Sequence, residues 1–150
     1  MEIEGSRLHS IDFATGRSIV KFDAIRRVLW VHHVGLLTPE SHLIVRKCAA
    51  REVEARCARA IISDFRQAIM VHDLSAVRVA SDAVFARLPI ALLVQESAID
   101  LFRQYVVDSV RRGSVRGIFT DACSAFAWSL QMAALLDLAQ RSKESGDTAG

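Results

Sequence analysis

The sequence predicts a single α/β domain built on a mixed, mostly parallel β-sheet with helices packed on it. The chain has 150 residues, which is the size of one domain with one core. Hydrophobic residues make up 51% and charged residues 24% of the chain, a composition typical of globular proteins. Short apolar runs also alternate with stretches of helical length. Such alternation favours right-handed crossovers between parallel strands.

The N-terminal part of the sequence predicts a pair of antiparallel strands. Residues 1–17 are mixed and polar, and we expect an arm or a short strand there. Residues 18–22 and 28–34 are rich in β-branched and aromatic side chains, as strands are. The connection over residues 23–27 is short enough for a hairpin, so the two strands should be antiparallel.

The next segment predicts a helix, a strand and a second helix. Thr38 is suited to the N-cap of the first helix and Pro39 to its first position. That helix should run to about Cys57. Residues 59–65 are apolar enough for a short buried strand, and residues 74–88 carry apolar side chains at helical spacing.

Two further strands flank a third predicted helix. Residues 90–94 form a continuous apolar run, which suits a parallel strand covered on both faces. Ser97 is placed to cap the following helix, with Asp100 in the capping-box position. Residues 115–119 predict the last strand.

A final helix should begin after Thr120 and Asp121, which can cap it, and end at about Arg141. Residues 142–150 are polar and predict a disordered tail. The predicted order is β-β-α-β-α-β-α-β-α, with the folded domain over residues 18–141.

Charge and composition restrict the classes of partner and location. The chain has 19 basic and 17 acidic residues, and this balance gives no reason to expect nucleic acid or an anionic membrane as partner. The longest uncharged apolar stretch, residues 122–136, is about 15 residues and shorter than a membrane span. The N-terminus lacks the pattern of a signal peptide, and three cysteines do not make a disulfide framework. We therefore expect a cytoplasmic protein without membrane insertion.

No pattern in the sequence predicts a metal, a cofactor or a catalytic group. His32 and His33 are adjacent on a predicted strand, so their side chains point to opposite faces and cannot bind one ion. His9, His42 and His72 have no partner at a metal-site spacing. The sequence contains no Walker loop, no G-x-G-x-x-G and no G-x-S-x-G motif.

The second half of the chain carries residues that resemble a known family. These are Pro89-Ile90-Ala91-Leu92-Leu93-Val94, Leu101-Phe102-Arg103-Gln104-Tyr105, Arg112-Gly113, Arg116-Gly117-Ile118-Phe119-Thr120-Asp121 and Ala125-Phe126-Ala127-Trp128. In this order they resemble the STAS domain of anti-sigma-factor antagonists, in its divergent bacterial SpoIIAA-like branch. The resemblance covers roughly residues 18–140. It implies a regulatory domain that binds a protein partner, such as a kinase or an anti-sigma-like regulator.

In that family a partner kinase phosphorylates a serine at a helix start, within the pattern D-S-S-G. The matching place here reads Asp73-Leu74-Ser75-Ala76, so the acid and the second serine are kept. The resemblance thus implies Ser75 as phospho-acceptor, beside Asp73. A simple helix N-cap is the structural alternative for either residue.

Two surfaces are candidates for binding. The carboxyl ends of parallel strands bind ligands in open α/β sheets, and Asp64, Gln95, Thr120 and Asp121 should lie near that edge. Helix caps and solvated loop residues are the alternative there.

The last predicted helix is apolar on two sides. A helix that covers one side of a sheet normally keeps a polar face. The row of Phe126, Leu130 and Ala134 therefore predicts a homodimer contact, with burial by the N-terminal arm as the alternative.

Three function classes remain open from the sequence. The first is a non-enzymatic regulatory or protein-interaction module, as the resemblance implies. The second is a domain that binds a small or lipid-like ligand at the carboxyl ends of the strands or beneath a helix. An enzyme is the third and is disfavoured, because no nucleophile, base and oxyanion set is assembled in the sequence.

Overall fold

A computed structural model describes residues 8–70, 72, 74 and 82–147 of the chain. Over these residues the chain forms one six-stranded sheet and four α-helices. The elements in chain order are β1 (Leu8–Asp12), β2 (Gly16–Asp23), β3 (Val28–Leu37), α1 (Pro39–Arg56), β4 (Ala60–Met70), α2 (Asp82–Phe85), β5 (Ile90–Leu93), α3 (Ile99–Arg111), β6 (Arg116–Phe119) and α4 (Ala122–Asp147).

The strands lie side by side in the order of the sequence. β1, β2 and β3 are antiparallel neighbours, and β3, β4, β5 and β6 are parallel neighbours. This confirms a mixed α/β sheet. β1 adds a strand, at the edge of the sheet, that the predicted order did not include.

The sequential order decides which face each helix covers. Right-handed crossovers between successive neighbouring strands place their helices on the same face. α1, α2 and α3 accordingly share one core with the sheet, which includes Leu29, Val45, Phe85 and Phe102. α4 follows the last strand and packs on the opposite face.

The smaller core beneath α4 is made of short side chains on the helix and longer ones on the sheet. Ala125, Ser129 and Ala133 recur every four residues and are the buried positions of α4. Their small size lets the helix lie close to Ile62 and Leu93, which are fully buried below it.

The start of α1 confirms the prediction, and the start of α3 does not. The Thr38 hydroxyl accepts the N–H of Ser41 at 3.1 Å, and the Ser41 hydroxyl accepts the N–H of Thr38 at 2.9 Å. At α3, Ser97 lies inside a short 3-10 turn (Glu96–Ala98), and the helix begins one residue after that turn without a side-chain cap. The predicted capping box is therefore wrong, because Ser97 forms part of the 3-10 turn and does not cap α3.

Three other predicted boundaries differ from the structure. β4, which was predicted to end at residue 65, continues to Met70, so Asp64 lies in the middle of the strand and not at its carboxyl end. α4 continues to Asp147, so residues 142–147 are helical and not part of a disordered tail. Gln140 donates from Nε2 to Oε1 of Glu144, one turn later in the extended part of the helix, at 3.4 Å. The helix predicted over residues 74–88 is represented by α2 near its end. Residues 75–81 lie outside the described part of the chain.

Candidate functional site

A charged cluster lies at the middle of β3 and β4, level with the carboxyl end of β5, on the face of the sheet that α4 covers. It consists of His32 from β3 with Asp64 and Arg66 from β4. His32 Nδ1 lies 3.2 Å from Asp64 Oδ2. Arg66 donates two hydrogen bonds to the same carboxylate, from Nε to Oδ1 and from Nη2 to Oδ2, each 3.0 Å long. Such bidentate pairs are among the strongest hydrogen bonds between side chains.

An irregularity in the sheet contributes to this cluster. His32 pairs with Asp64 and Val34 pairs with Gln67, so β4 holds one more residue than β3 over this stretch. A bulge of this kind leaves backbone groups outside the regular ladder. The N–H of Arg66 donates to Asp64 Oδ1 at 3.0 Å. Asp64 therefore accepts four hydrogen bonds and is firmly oriented.

The electrostatics of the cluster favour an ionised Asp64. Burial alone would raise the pKa of this carboxyl, but the hydrogen bonds from His32 and Arg66 outweigh burial and hold the pKa well below its usual range. Since the carboxylate can only accept, we assign the hydrogen to Nδ1 of His32. Nε2 is then left as an acceptor on a side chain that is 29% exposed.

Aromatic side chains extend this surface towards α4. The ring of His32 stacks on Trp30 with centroids 5.9 Å apart, and Trp30 stacks on Phe126 of α4, also at 5.9 Å. The guanidinium of Arg26 lies over the ring of Phe126, 5.3 Å from its centroid. Among the described residues, no hydroxyl or thiol is hydrogen-bonded to His32. The arrangement is a partly exposed surface of aromatic and charged side chains, and the described residues assemble no nucleophile on it.

The predicted residues at this edge meet around Arg66. Gln95 donates from Nε2 to the carbonyl of Arg66 at 2.7 Å. Asp121 caps α4 by accepting an N–H of the first turn at 2.8 Å, and its charge contributes to the raised pKa of Arg66, whose main cause is the hydrogen bond to Asp64. Thr120 is exposed between β6 and α4. These residues belong to one charged edge but line neither of the two cavities described below.

The opposite face of the sheet carries buried histidines. His33 is 3% exposed, lies 2.9 Å from the hydroxyl of Ser18 through Nδ1, and stacks on Phe65 with centroids 4.7 Å apart. His42 of α1 lies edge-on to His33 at 5.6 Å, and its Nδ1 is 3.0 Å from Nε2 of His72. Burial lowers the pKa of His33 to about 4 and that of His42 to about 2. Both rings are therefore neutral at pH 7.

Two cavities adjoin each other beneath the helices on this same face. The smaller, of about 50 Å³, lies over the centre of the sheet and is lined in part by His33 and His42. The larger, of about 340 Å³, lies between α1, α2 and α3 near the amino end of β6. Arg46, Leu74, Phe85 and Tyr105 line both, so the two cavities lie side by side.

Ser75 and Asp73, the phospho-acceptor candidate and its neighbour, lie outside the described residues. Leu74 between them is 5% exposed and belongs to the larger core. It stands where the family pattern has its first serine, and a buried leucine there is a structural residue.

The predicted dimer row on α4 is only partly exposed. Phe126 and Leu130 are half-buried and pack against the smaller core, because Phe126 covers Trp30 and Leu130 follows it one turn later on the same side. Ala134 is exposed. Leu135 and Leu138 are the large exposed apolar residues of this helix, at 50% and 57%. We define the outer face of α4 as Ala127, Gln131, Ala134, Leu135 and Leu138.

Within the described residues α4 is also the one helix long and apolar enough to cross a membrane, counted over residues 122–146. The uncharged run ends at residue 136 and is too short for a span, so the sequence predicted none. This remains a weak indication, because Ala125, Ser129 and Ala133 are buried against the sheet.

No group of three His, Cys, Asp or Glu side chains in the described part of the chain could hold a metal ion. A scan against protein-family models and a search of curated proteins both return no match. Function is therefore inferred from the geometry and from the sequence pattern.

Proposed function

We propose that this chain is a non-enzymatic regulatory module of the STAS type, which acts by binding proteins. The outer face of α4 carries the proposal. It exposes Leu135 and Leu138, and no charged residue occurs between residues 122 and 136. A contiguous exposed apolar surface of this kind is typical of an interaction site.

Other helices expose apolar side chains in a different setting. On α3, Leu101 is 55% exposed and Val110 53%, but Asp100, Arg103 and Arg111 stand beside them. Single apolar residues among charged ones are ordinary surface. On α4, Leu138 also has Asp137 beside it, but no charged residue stands next to Leu135 or one turn away from it. The uncharged surroundings of Leu135 distinguish α4.

A second copy of the chain is the partner we propose for this face. A twofold contact brings the same patch together from both subunits, so leucine meets leucine or alanine without any charge to be matched. The outer face of α4, over residues 127–138, is about 18 Å long and about 10 Å wide. That is far below the ~800 Å² that each partner buries in a stable interface. We therefore expect a weak, reversible dimer with a dissociation constant in the micromolar range or above.

A bilayer is a less suitable cover for the same helix. A membrane span needs about 20 residues surrounded by lipid. One side of α4 already packs on the sheet through Ala125, Ser129 and Ala133. Arg59, the residue before β4, also pairs with Asp137 of α4. Insertion would require these contacts to break.

Sedimentation velocity over a range of concentrations tests the dimer. The wild-type protein should shift from monomer to dimer as the concentration rises, and Leu138→Glu should remain monomeric because it buries a charge in the contact. Leu101→Glu places the same charge on an equally exposed leucine of α3 and should dimerise like the wild type. A wild type that stays monomeric at every concentration, or equal loss in both variants, contradicts the proposal for α4.

The STAS resemblance supports a second, switchable contact at Ser75. Phosphorylation would add nearly two negative charges there and would repel an acidic partner surface. Intact-mass and peptide mass spectrometry of the protein from its own cells should detect the modification. Ser75→Asp should weaken binding to the cognate kinase or anti-sigma-like partner, and Ser75→Ala should preserve it. Equal binding of both variants contradicts the switch while leaving the α4 contact standing.

A small-ligand function is the second candidate, and the adjoining cavities favour it. They lie beneath the helices, which is one of the two positions expected from the sequence, and not at the carboxyl ends of the strands.

A further inference from the structure

We infer that the larger cavity binds a small organic anion, with its phosphate or carboxylate group among the arginines and an apolar or aromatic body beside Phe85 and Tyr105. This goes beyond the interaction proposed for α4, which lies on the other face of the sheet. The cavity of about 340 Å³ falls at the lower end of the range for ligand pockets, about 300–1,000 Å³. It suits a single-ring compound and is too small for a peptide or a two-chain lipid.

Among the described residues, the polar side chains that line the cavity are cationic or hydroxylic. Among the described residues that line it there is no Asp and no Glu. Its polar lining consists of Arg46, Tyr105, Ser109, Arg112, Ser114 and Arg116. Arginines that converge with hydroxyl groups are the arrangement that recognises phosphate and carboxylate oxygens.

Arg116 is held in place but not neutralised. Nη1 donates to the carbonyls of Leu88 and Val115 at 2.9 Å, and Nη2 donates to the carbonyl of Phe85 at 3.0 Å. In the part of the chain that the structure describes, its Nε is buried without a hydrogen-bond partner and no carboxylate pairs with it. A partly buried cation bonded only to neutral oxygens is costly, and an anion in the cavity would offset that cost.

The carboxyl end of α3 does not cancel the positive charge of the arginines that line the cavity. Helix carbonyl ends carry partial negative charge. Here the N–H of Gly113 donates to the carbonyl of Val110 at 2.9 Å, and the N–H of Ser114 to that of Ser109 at 3.0 Å. These bonds satisfy carbonyls of the last turn, as helix C-caps do. The full charge of Arg112, which is exposed at this end, remains available.

Leu74, Phe85 and Tyr105 form the apolar wall of the cavity, and this wall orients the ligand. Phe85 is 5% exposed and Arg46 lies over its ring, 5.2 Å from the centroid. Leu74, Phe85 and Tyr105 also line the smaller cavity, so the apolar side leads inward. A ligand enters with its ring towards this wall and keeps its charged group near the exposed Arg112.

Titration calorimetry with phenyl phosphate tests the inference, with inorganic phosphate and phenol as comparisons. Phenyl phosphate should bind saturably and more tightly than either comparison compound, since each contributes only one half of the recognition. Arg112→Gln should weaken binding at least about tenfold, the loss expected from one charge-assisted hydrogen bond. Arg111→Gln removes the neighbouring exposed arginine, which does not line the cavity, and should change binding by less than about twofold.

Ser114→Asp provides a second variant that does not depend on removing an arginine. Its carboxylate should occupy the anion position, abolish phenyl phosphate binding and raise the melting temperature. The inference is overturned by the absence of saturable binding up to about 10 mM, by phenol binding as tightly as phenyl phosphate, or by equal losses in Arg111→Gln and Arg112→Gln. Amide NMR shifts on titration should map to Ser109, Ser114 and Arg116, and shifts confined to the Asp64 cluster would also overturn it.

Discussion

Lowering the pH from 7 to 5 should destabilise the protein, because two buried histidines resist protonation in the folded state. His33 and His42 are 3% and 4% exposed. Around them stand Ser18, Phe65 and His72, none of which provides a negative charge. Among nearby charges Asp64 favours protonation of His33, but burial outweighs it, and Arg46 and the neighbouring histidines disfavour protonation of His42.

The size of the effect follows from proton linkage. Each histidine titrates near 6.5 in the unfolded chain, and in the folded protein burial lowers the pKa to about 4 for His33 and about 2 for His42. The unfolded state therefore binds more protons below pH 6.5, and the free energy of unfolding falls as the pH falls, by about 1.4 kcal/mol per pH unit for each group. At pH 5, about 1.5 units below the unfolded value, the loss is about 2 kcal/mol per histidine, or about 4 kcal/mol together. Since the pKa values of both histidines in the folded protein lie below 5, this loss of stability depends little on how far below 5 they lie.

Urea unfolding followed by the fluorescence of Trp30 and Trp128 provides the assay. The free energy of unfolding should fall by about 4 kcal/mol between pH 7 and pH 5. It should change little between pH 7 and pH 8, where both histidines are neutral in either state. His42→Phe should remove about half of the dependence. The reasoning is refuted if the wild type is equally stable at pH 5 and pH 7, or if His42→Phe keeps the full dependence.

Three substitutions test other contacts. Gly117→Ala would place a Cβ 2.8 Å from the ring of Phe119 and 3.2 Å from that of Trp128, so the Phe119 ring must move where it packs against α4; we expect a loss of about 1–3 kcal/mol in urea unfolding and a changed near-ultraviolet circular dichroism spectrum, and an unchanged spectrum would contradict the close packing. Asp64→Asn removes the charge that Arg66 grips and should cost about 1–3 kcal/mol in the same assay; a neutral effect would show that the cluster does not stabilise the fold. Thr38→Ala removes the N-cap of α1 and should cost about 1 kcal/mol, seen as a melting temperature lower by about 2–4 °C, whereas Thr38→Ser should retain most of the stability.

The parts of the fold that depend on neighbouring residues could be predicted from the sequence. Thr38 and Pro39 define the start of α1 because capping involves only the first turn. The β2–β3 hairpin was predicted because its connection is short. The start of α3 was missed, because whether Ser97 caps the helix or lies in a 3-10 turn depends on how the chain leaves β5. β1 was not included as a strand because its five residues form an edge strand, whose stability comes from pairing with β2.

The candidate site was predicted less well, since it depends on pairing between distant residues. Asp64 was identified because the predicted strand ended at residue 65, although β4 continues to Met70, and His32 and Arg66 were not identified. His32 was considered only as a metal ligand, and its contact with Asp64 spans 32 positions and requires the register of two parallel strands. The arginine cavity was missed for the same reason. Arg46, Arg112 and Arg116 come from three elements, and only the packing of α1 and α3 on one face brings them together.

The two faces of the sheet separate the two proposals physically. Sequential strand order with right-handed crossovers commits α1, α2 and α3 to one face and leaves α4 as the helix on the other. Substitutions with no shared partners have additive effects. Leu138→Glu should therefore abolish the dimer without changing phenyl phosphate affinity, and Arg112→Gln should weaken phosphate binding without changing sedimentation. If either variant altered both properties, the sheet between the faces would have to couple them, and the contact on α4 would then regulate the cavity.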